Sequence, residues 1–320
     1  MRLASICLLL LGCASDDASM SPDAPGTPDA PDAAPGTDIA AVPTGCATDR
    51  SLTDRPDDHG HDQIRILYVT PSDGADLARD TSGQICNSVR SFATWFHARS
   101  GAYLRFDTTS GLVDIGFVRL SSTDAQLKGS DPGNNTIDTG IAFVRERIER
   151  ELTNRAMIAP NKAYAVYYEG SSSWACGAGA WPPLITARVA AMYLKGVPFG
   201  TTIDCGAPAW GRASLAPGYT DYAMLHEIVH TAGFVPDASP HEHASGHIFE
   251  PLTPTTSRDL MYSPRAQTND PPWDIFAAEG LLLDVNNDDY FNTPAPADLD
   301  LATSSLLAPL APNARRPIGW

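Results

Sequence analysis

The stretch that most restricts what this chain can fold into is Tyr222-Ala223-Met224-Leu225-His226-Glu227-Ile228-Val229-His230-Thr231-Ala232-Gly233. Leu225, Ile228, Val229 and Ala232 recur at helical spacing and mark a buried side. On that helix His226 and His230 stand at i and i+4, one above the other on one face, where both imidazoles reach one metal ion. Glu227 lies between them, placed to polarise a water held at the same point. Thr220 and Asp221 are candidate N-terminal capping residues, and Gly233 is a natural stop. Two histidines on an apolar helix can also be satisfied core residues, so the chain beyond Gly233 has to decide.

Downstream come His241, His243 and His247, then Asp259-Leu260-Met261-Tyr262. This order of helix, glycine turn, third histidine and methionine turn resembles the metzincin zinc metallopeptidases. The stretch Val235-Pro236 to Pro240-His241, followed by Gly246-His247 and Asp259-Leu260-Met261-Tyr262, is similar to secreted bacterial metzincin-like proteins. The resemblance extends over about residues 63–292, with its specific motifs confined to 222–262. It implies an α/β, α+β zincin-like fold: a mixed twisted sheet, a zinc-binding helix and an irregular C-terminal subdomain containing the methionine turn. It implies one catalytic Zn²⁺, with His226 and His230 as ligands, Glu227 as general base and Met261 as the methionine-turn residue beneath the histidines. The chain departs from the family at the third ligand. Three residues past Gly233 stands Pro236, which has no ligating side chain, and Asp237 comes one residue late. His247 is preferred because it lies nearest the methionine turn, with His241 and then His243 as alternatives. The position two after Met261 is Ser263, so no tyrosine ligand is carried over.

A thermolysin-like alternative would use Glu250, twenty residues after His230. That glutamate needs a second helix, which Pro236, Pro240, Pro251 and Pro254 oppose. Asp284-Val285-Asn286-Asn287-Asp288-Asp289 resembles the start of a calcium loop, but Asp289 stands where an EF-hand needs Gly and Ala295 where it needs Glu. A polar turn after a helix ending at Leu283 accounts for it. His59-Gly60-His61 reads as linker.

Domain organisation follows from composition. Residues 1–12 carry one arginine and a short apolar run ending Leu10-Leu11-Gly12-Cys13, the form of a lipoprotein signal with Cys13 as lipidation site; the run is too short to span a bilayer. Residues 13–62 are Pro-, Asp- and Ala-rich. Within 14–62 eleven aspartates face only Arg50 and Arg55, a net charge of −9, and this segment reads as a disordered tether. Residues 63–293 form the catalytic domain and 294–320 a C-terminal tail.

The net charge of −16 excludes nucleic acid as a partner and leaves the membrane only through the lipid anchor. The acidic balance says little about substrate; the metzincin resemblance implies a peptide or protein substrate, and the chain is expected to be monomeric. Beyond Cys7 and Cys13 four cysteines remain, and export implies two disulfides, preferred by proximity as Cys46–Cys86 and Cys176–Cys205.

Strands are predicted at 64–70, 103–107, 113–120, 163–169 and 189–194, the last as the edge that binds extended peptide. Helices are predicted at about 82–99 and 137–152. The expected function is zinc-dependent endopeptidase at the cell envelope or secreted. A non-catalytic zincin-fold binding lipoprotein, using Trp174 and Trp181, is the competing class.

Overall fold

Eight consecutive residues, Gln63–Thr70 (β1), are all buried, which requires a strand covered on both faces and flanked on both sides. The computed structural model describes residues 41–128, 143–180, 186–198, 204–207, 210, 217–233, 235, 239–243, 246–249, 259–263, 281–293 and 300–320. After β1 come α1 (Gln84–Ser100), β2 (Tyr103–Leu104), β3 (Thr108–Thr109), β4 (Leu112–Val113), β5 (Ile115–Arg119), α2 (Asp124–Lys128) and α3 (Phe143–Asn154). Then follow β6 (Lys162–Ser171), β7 (Gly177–Ala178), β8 (Val189–Lys195), α4 (Tyr219–Thr231), β9 (Glu242–His243), β10 (His247–Ile248) and β11 (Leu307–Ala308).

The main sheet runs β5-β1-β6-β8-β7. Its first four strands are mutually parallel, and β7 is antiparallel to β8. Alternation along the strands sorts the core into two layers. Ile64, Ile66 and Tyr68 of β1, Ala165 and Tyr167 of β6, and Ala190 and Met192 of β8 face α1 and α4. Leu67, Val69, Tyr164, Val166, Ala191 and Tyr193 face α2 and α3. The α/β class with a mixed sheet is thus realised.

The strand 189–194, expected at an edge, lies inside the sheet. Gly177↔Met192 and Ala178↔Ala191 pair along its outer side. A two-residue strand has no hydrophobic period, so the sequence does not announce it.

Residues 46–62, expected in the tether, lie on the domain. Cys46 bridges to Val113 of β4 and Ser51 to Gly116 of β5, and His59 is buried. Cys46 is bonded to Cys86 and Cys176 to Cys205. Arg55 pairs with Asp114, and Asp54 and Asp57 pair with Lys162. Backbone bridges and ion pairs hold this strap, so its polar composition was a poor guide. The tail likewise packs: β11 pairs with β2, and Leu301, Leu306 and Leu307 are buried.

Helix 82–99 is observed as α1, and the described part of helix 137–152 is α3. Leu281–Leu283, expected at a helix end, is irregular, with Leu282 bridging Asp259. Residues 1–40, with the signal segment, Cys13 and most of the tether, lie outside the described residues, as do Trp181, Pro236, Asp237 and Glu250. No helix among the described residues is long and apolar enough to cross a membrane.

Candidate metal centre

Helix α4 is buried all round, from Thr220 to Thr231. Its N-terminus is fixed by Asp221, whose carboxylate accepts the Gly218 N–H at 2.6 Å. The cap position is therefore Gly218, one turn before the aspartate, and Asp221 acts from inside the first turn. The helix stops where Gly233 turns into the left-handed region, φ 93°, with its N–H donated to the His230 carbonyl at 2.9 Å. The chain then reaches β9 and β10, a small antiparallel pair in which His243 stands opposite His247.

This hairpin brings His247 to the helix. His230 Nε2 lies 3.0 Å from His226 Nε2 and 3.2 Å from His247 Nε2, and His226 Nε2 lies 3.3 Å from His247 Nε2. Three ring nitrogens therefore converge on one point. His226 Nδ1 is 2.7 Å from the Leu260 carbonyl oxygen. A carbonyl only accepts, so Nδ1 carries the proton and Nε2 presents its lone pair to the cluster. Burial lowers the His226 pKa to about 4. Burial, and then the two neighbouring imidazoles, hold that of His230 well below the ordinary value. Both rings are thus neutral at neutral pH, the state that ligates metal.

The donor set fits zinc. Tetrahedral Zn–N bonds of about 2.0–2.1 Å put neighbouring nitrogens about 3.3–3.4 Å apart, close to the separations observed. The alternative ligand His241 stands elsewhere: its Nδ1 is 3.1 Å from Asp289 Oδ2, and its N–H donates to Asp289 Oδ1 at 2.9 Å. It belongs to a separate group with Asp288 and Asp289.

Glu227, next to His226, is 9% exposed. Burial pushes its carboxyl up to about 8, against the opposing influence of the Gly179 N–H and the charge of Arg145. Sequence reasoning missed Gly177 and Gly179. The signal was only the Gly-Ala-Gly spacing, which shows nothing until β7 is seen against α4.

Met261 is fully buried beside Leu260. Its N–H donates to Asp259 Oδ1 at 2.7 Å, and its carbonyl accepts the Ile248 N–H at 2.9 Å. The turn 259–262 thereby touches both His226, through Leu260, and the strand of His247, through Ile248. Asp259 itself is wholly buried and also accepts Val285 N–H and Tyr290 O–H.

No protein-family model matches the chain, and no curated protein matches it. Among solved structures it is similar to an archaemetzincin from Methanopyrus kandleri, at 12% identity over 63% of this chain and 82% of that one, with a TM-score of 0.29. It is also similar to a chain in a chaperone–substrate complex, at 15% identity over 57% of this chain and 25% of that one, with a TM-score of 0.25. Superpositions this loose carry no functional reading, which rests on the side-chain geometry.

Proposed function

We propose that this chain is a zinc-dependent endopeptidase of metzincin-like type. The observation that carries the reading is the convergence of His226, His230 and His247 Nε2 at zinc-like spacing, with Glu227 on the same helix. His226, His230 and His247 would hold the ion. When bound, Zn²⁺ supplies Lewis acidity that lowers the pKa of water and polarises a carbonyl.

The remaining work falls to the chain's own groups. Glu227 takes the proton of the attacking water at a carboxylate oxygen and delivers it to the leaving amine. Its raised affinity for protons, caused by burial, brings it towards the pH at which it must both accept and release. Leu260 fixes the tautomer of His226. Met261 would be the methionine-turn residue in this reading, and the turn it belongs to ties Leu260 to the strand carrying His247.

Two disulfides suit an oxidising, extracellular setting. Our reading includes peptides or proteins as substrate, a monomeric chain, and lipid attachment at Cys13, the last supported by the Leu-Leu-Gly-Cys sequence.

The test is zinc content followed by a peptide-library digest, with wild type beside Glu227→Gln. One equivalent of zinc in both proteins is expected, with cleavage by the wild type and a ~10²–10⁴-fold loss in the variant. Equal activity in both would remove the mechanism. Full zinc occupancy with no cleavage of any peptide would instead leave a non-catalytic binding protein.

A further inference from the structure

The segment 176–180 is pinned at both ends. Cys176 is disulfide-bonded to Cys205, and its carbonyl accepts the Tyr193 N–H at 2.8 Å. Ala180 N–H donates to Thr231 Oγ1, on α4, at 3.2 Å. Between these points the main chain of β7 runs against the helix that carries the histidines.

A Cβ built on Gly177 would lie 2.5 Å from Glu227 Oε1, 2.9 Å from its Cγ and 3.0 Å from its Cδ. The three nearest atoms all belong to that one side chain. A Cβ on Gly179 would lie 2.5 Å from His230 Cβ, 2.7 Å from the Glu227 carbonyl oxygen and 3.3 Å from Glu227 Oε2. Neither glycine has a positive φ. Space, rather than backbone freedom, is what excludes a side chain at either position.

We propose that Gly177 is a positioning residue for Glu227: the bare main chain of β7 at this point forms the wall that seats its carboxylate, while Gly179 lets the same segment approach the α4 backbone and His230. A glutamate has several rotatable bonds, and a close wall removes much of their freedom before substrate arrives. The disulfide and the Thr231 contact keep the wall from yielding. What the seated carboxylate does rests on the peptidase reading; the seating is a property of the chain itself and holds without metal.

The experiment is a stability cycle in chelator-treated protein, with a kinetic arm. Urea midpoints are measured for wild type, Gly177→Ala, Glu227→Ala and the double variant. Gly177→Ala is expected to lower the midpoint in the wild-type background and to lose at least about half of that effect when Glu227 is Ala, because the methyl then has room. Gly179→Ala is the contrast. Its nearest neighbours are His230 Cβ and a main-chain oxygen, so Glu227→Ala should not rescue it. Equal effects of Gly177→Ala in both backgrounds overturn the proposal. Failure of Gly177→Ala to fold only when Glu227 is present is the same coupling in stronger form; failure in both backgrounds overturns it.

In the kinetic arm, Gly177→Ala should keep its zinc and its KM within about twofold while kcat falls by ~10²-fold. An unchanged kcat overturns the proposal. A wild type that cleaves nothing removes the peptidase reading, and the urea cycle still decides whether the wall seats Glu227.

Discussion

His226 Nδ1 lies 2.7 Å from the carbonyl oxygen of Leu260, so the orientation of a helix-borne histidine is set by a turn 34 residues away in sequence. That turn is closed by Asp259. One of its oxygens accepts from Met261 N–H at 2.7 Å and Tyr290 O–H at 3.0 Å, the other from Val285 N–H at 2.9 Å. Asp259→Ala removes a shared acceptor from three donors, each costing roughly 1–3 kcal/mol when buried unpaired. Stability should fall by a few kcal/mol. Zinc affinity should fall ~10–100-fold, as for other partners that orient metal-bound histidines. Chelator competition measures the second effect; unchanged zinc affinity in a destabilised variant would show that the turn does not position His226.

The assignment of the third ligand predicts a contrast between two histidines. His226→Ala and His247→Ala should each leave less than about a tenth of an equivalent of zinc after dialysis, with a loss of stability that zinc no longer reverses. His241→Ala should keep its zinc, because that imidazole is committed to Asp289. Zinc retained by His247→Ala and lost by His241→Ala would move the third ligand.

How much of this was legible beforehand depends on the range of the interactions. His226, Glu227 and His230 are fixed by helix periodicity, a local property. His247 was legible only as one of three histidines. Its selection depends on the β9–β10 pairing and on the Ile248–Met261 hydrogen bond, which no spacing encodes. Gly177 and Gly179 were invisible because their reason is another segment's side chain. The strap at 46–62 was misread because charge and main-chain bridges, rather than apolar residues, hold it down.

Asp284 predicts a pH dependence. Burial raises its pKa to about 6 from an ordinary 3.8, against the N–H groups of Tyr290 and Phe291, which donate to one oxygen at 2.8 and 2.7 Å. The folded state thus binds a proton more tightly than the unfolded one. Its contribution is fully present below the unfolded pKa and is lost as pH rises through the folded value. Asp284→Asn keeps an oxygen for those donors and does not titrate. Relative to the variant, wild type should lose stability between pH ~4 and ~6 and then level off. Urea midpoints across that range check this; a wild type that gains on the variant over the same window would reverse the sign.

Lys162 predicts a large loss of stability. Its ammonium is buried at the start of β6, 2.8 Å from Asp107, 2.9 Å from Asp54 and 2.7 Å from Asp57. The three carboxylates form an acidic group of the kind that can hold a cation, and the lysine's own charge fills that place. Asp107 is itself 1% exposed and has Arg65 as a second partner at 3.0 Å. Burial raises its pKa, and the neighbouring Lys162 ammonium is the strongest influence opposing that rise. Lys162→Met keeps the length of the side chain and removes the charge. Removing one partner of a buried pair costs roughly 3–5 kcal/mol, because the other charge stays desolvated. Asp54 and Asp57 would lose their hold as well, so the strap should open towards proteases between Cys46 and Gln63. Urea denaturation with limited proteolysis, read by mass, checks both consequences. A variant as stable as wild type, with the strap still protected, would mean that Cys46–Cys86 and the Arg55–Asp114 pair suffice to hold it.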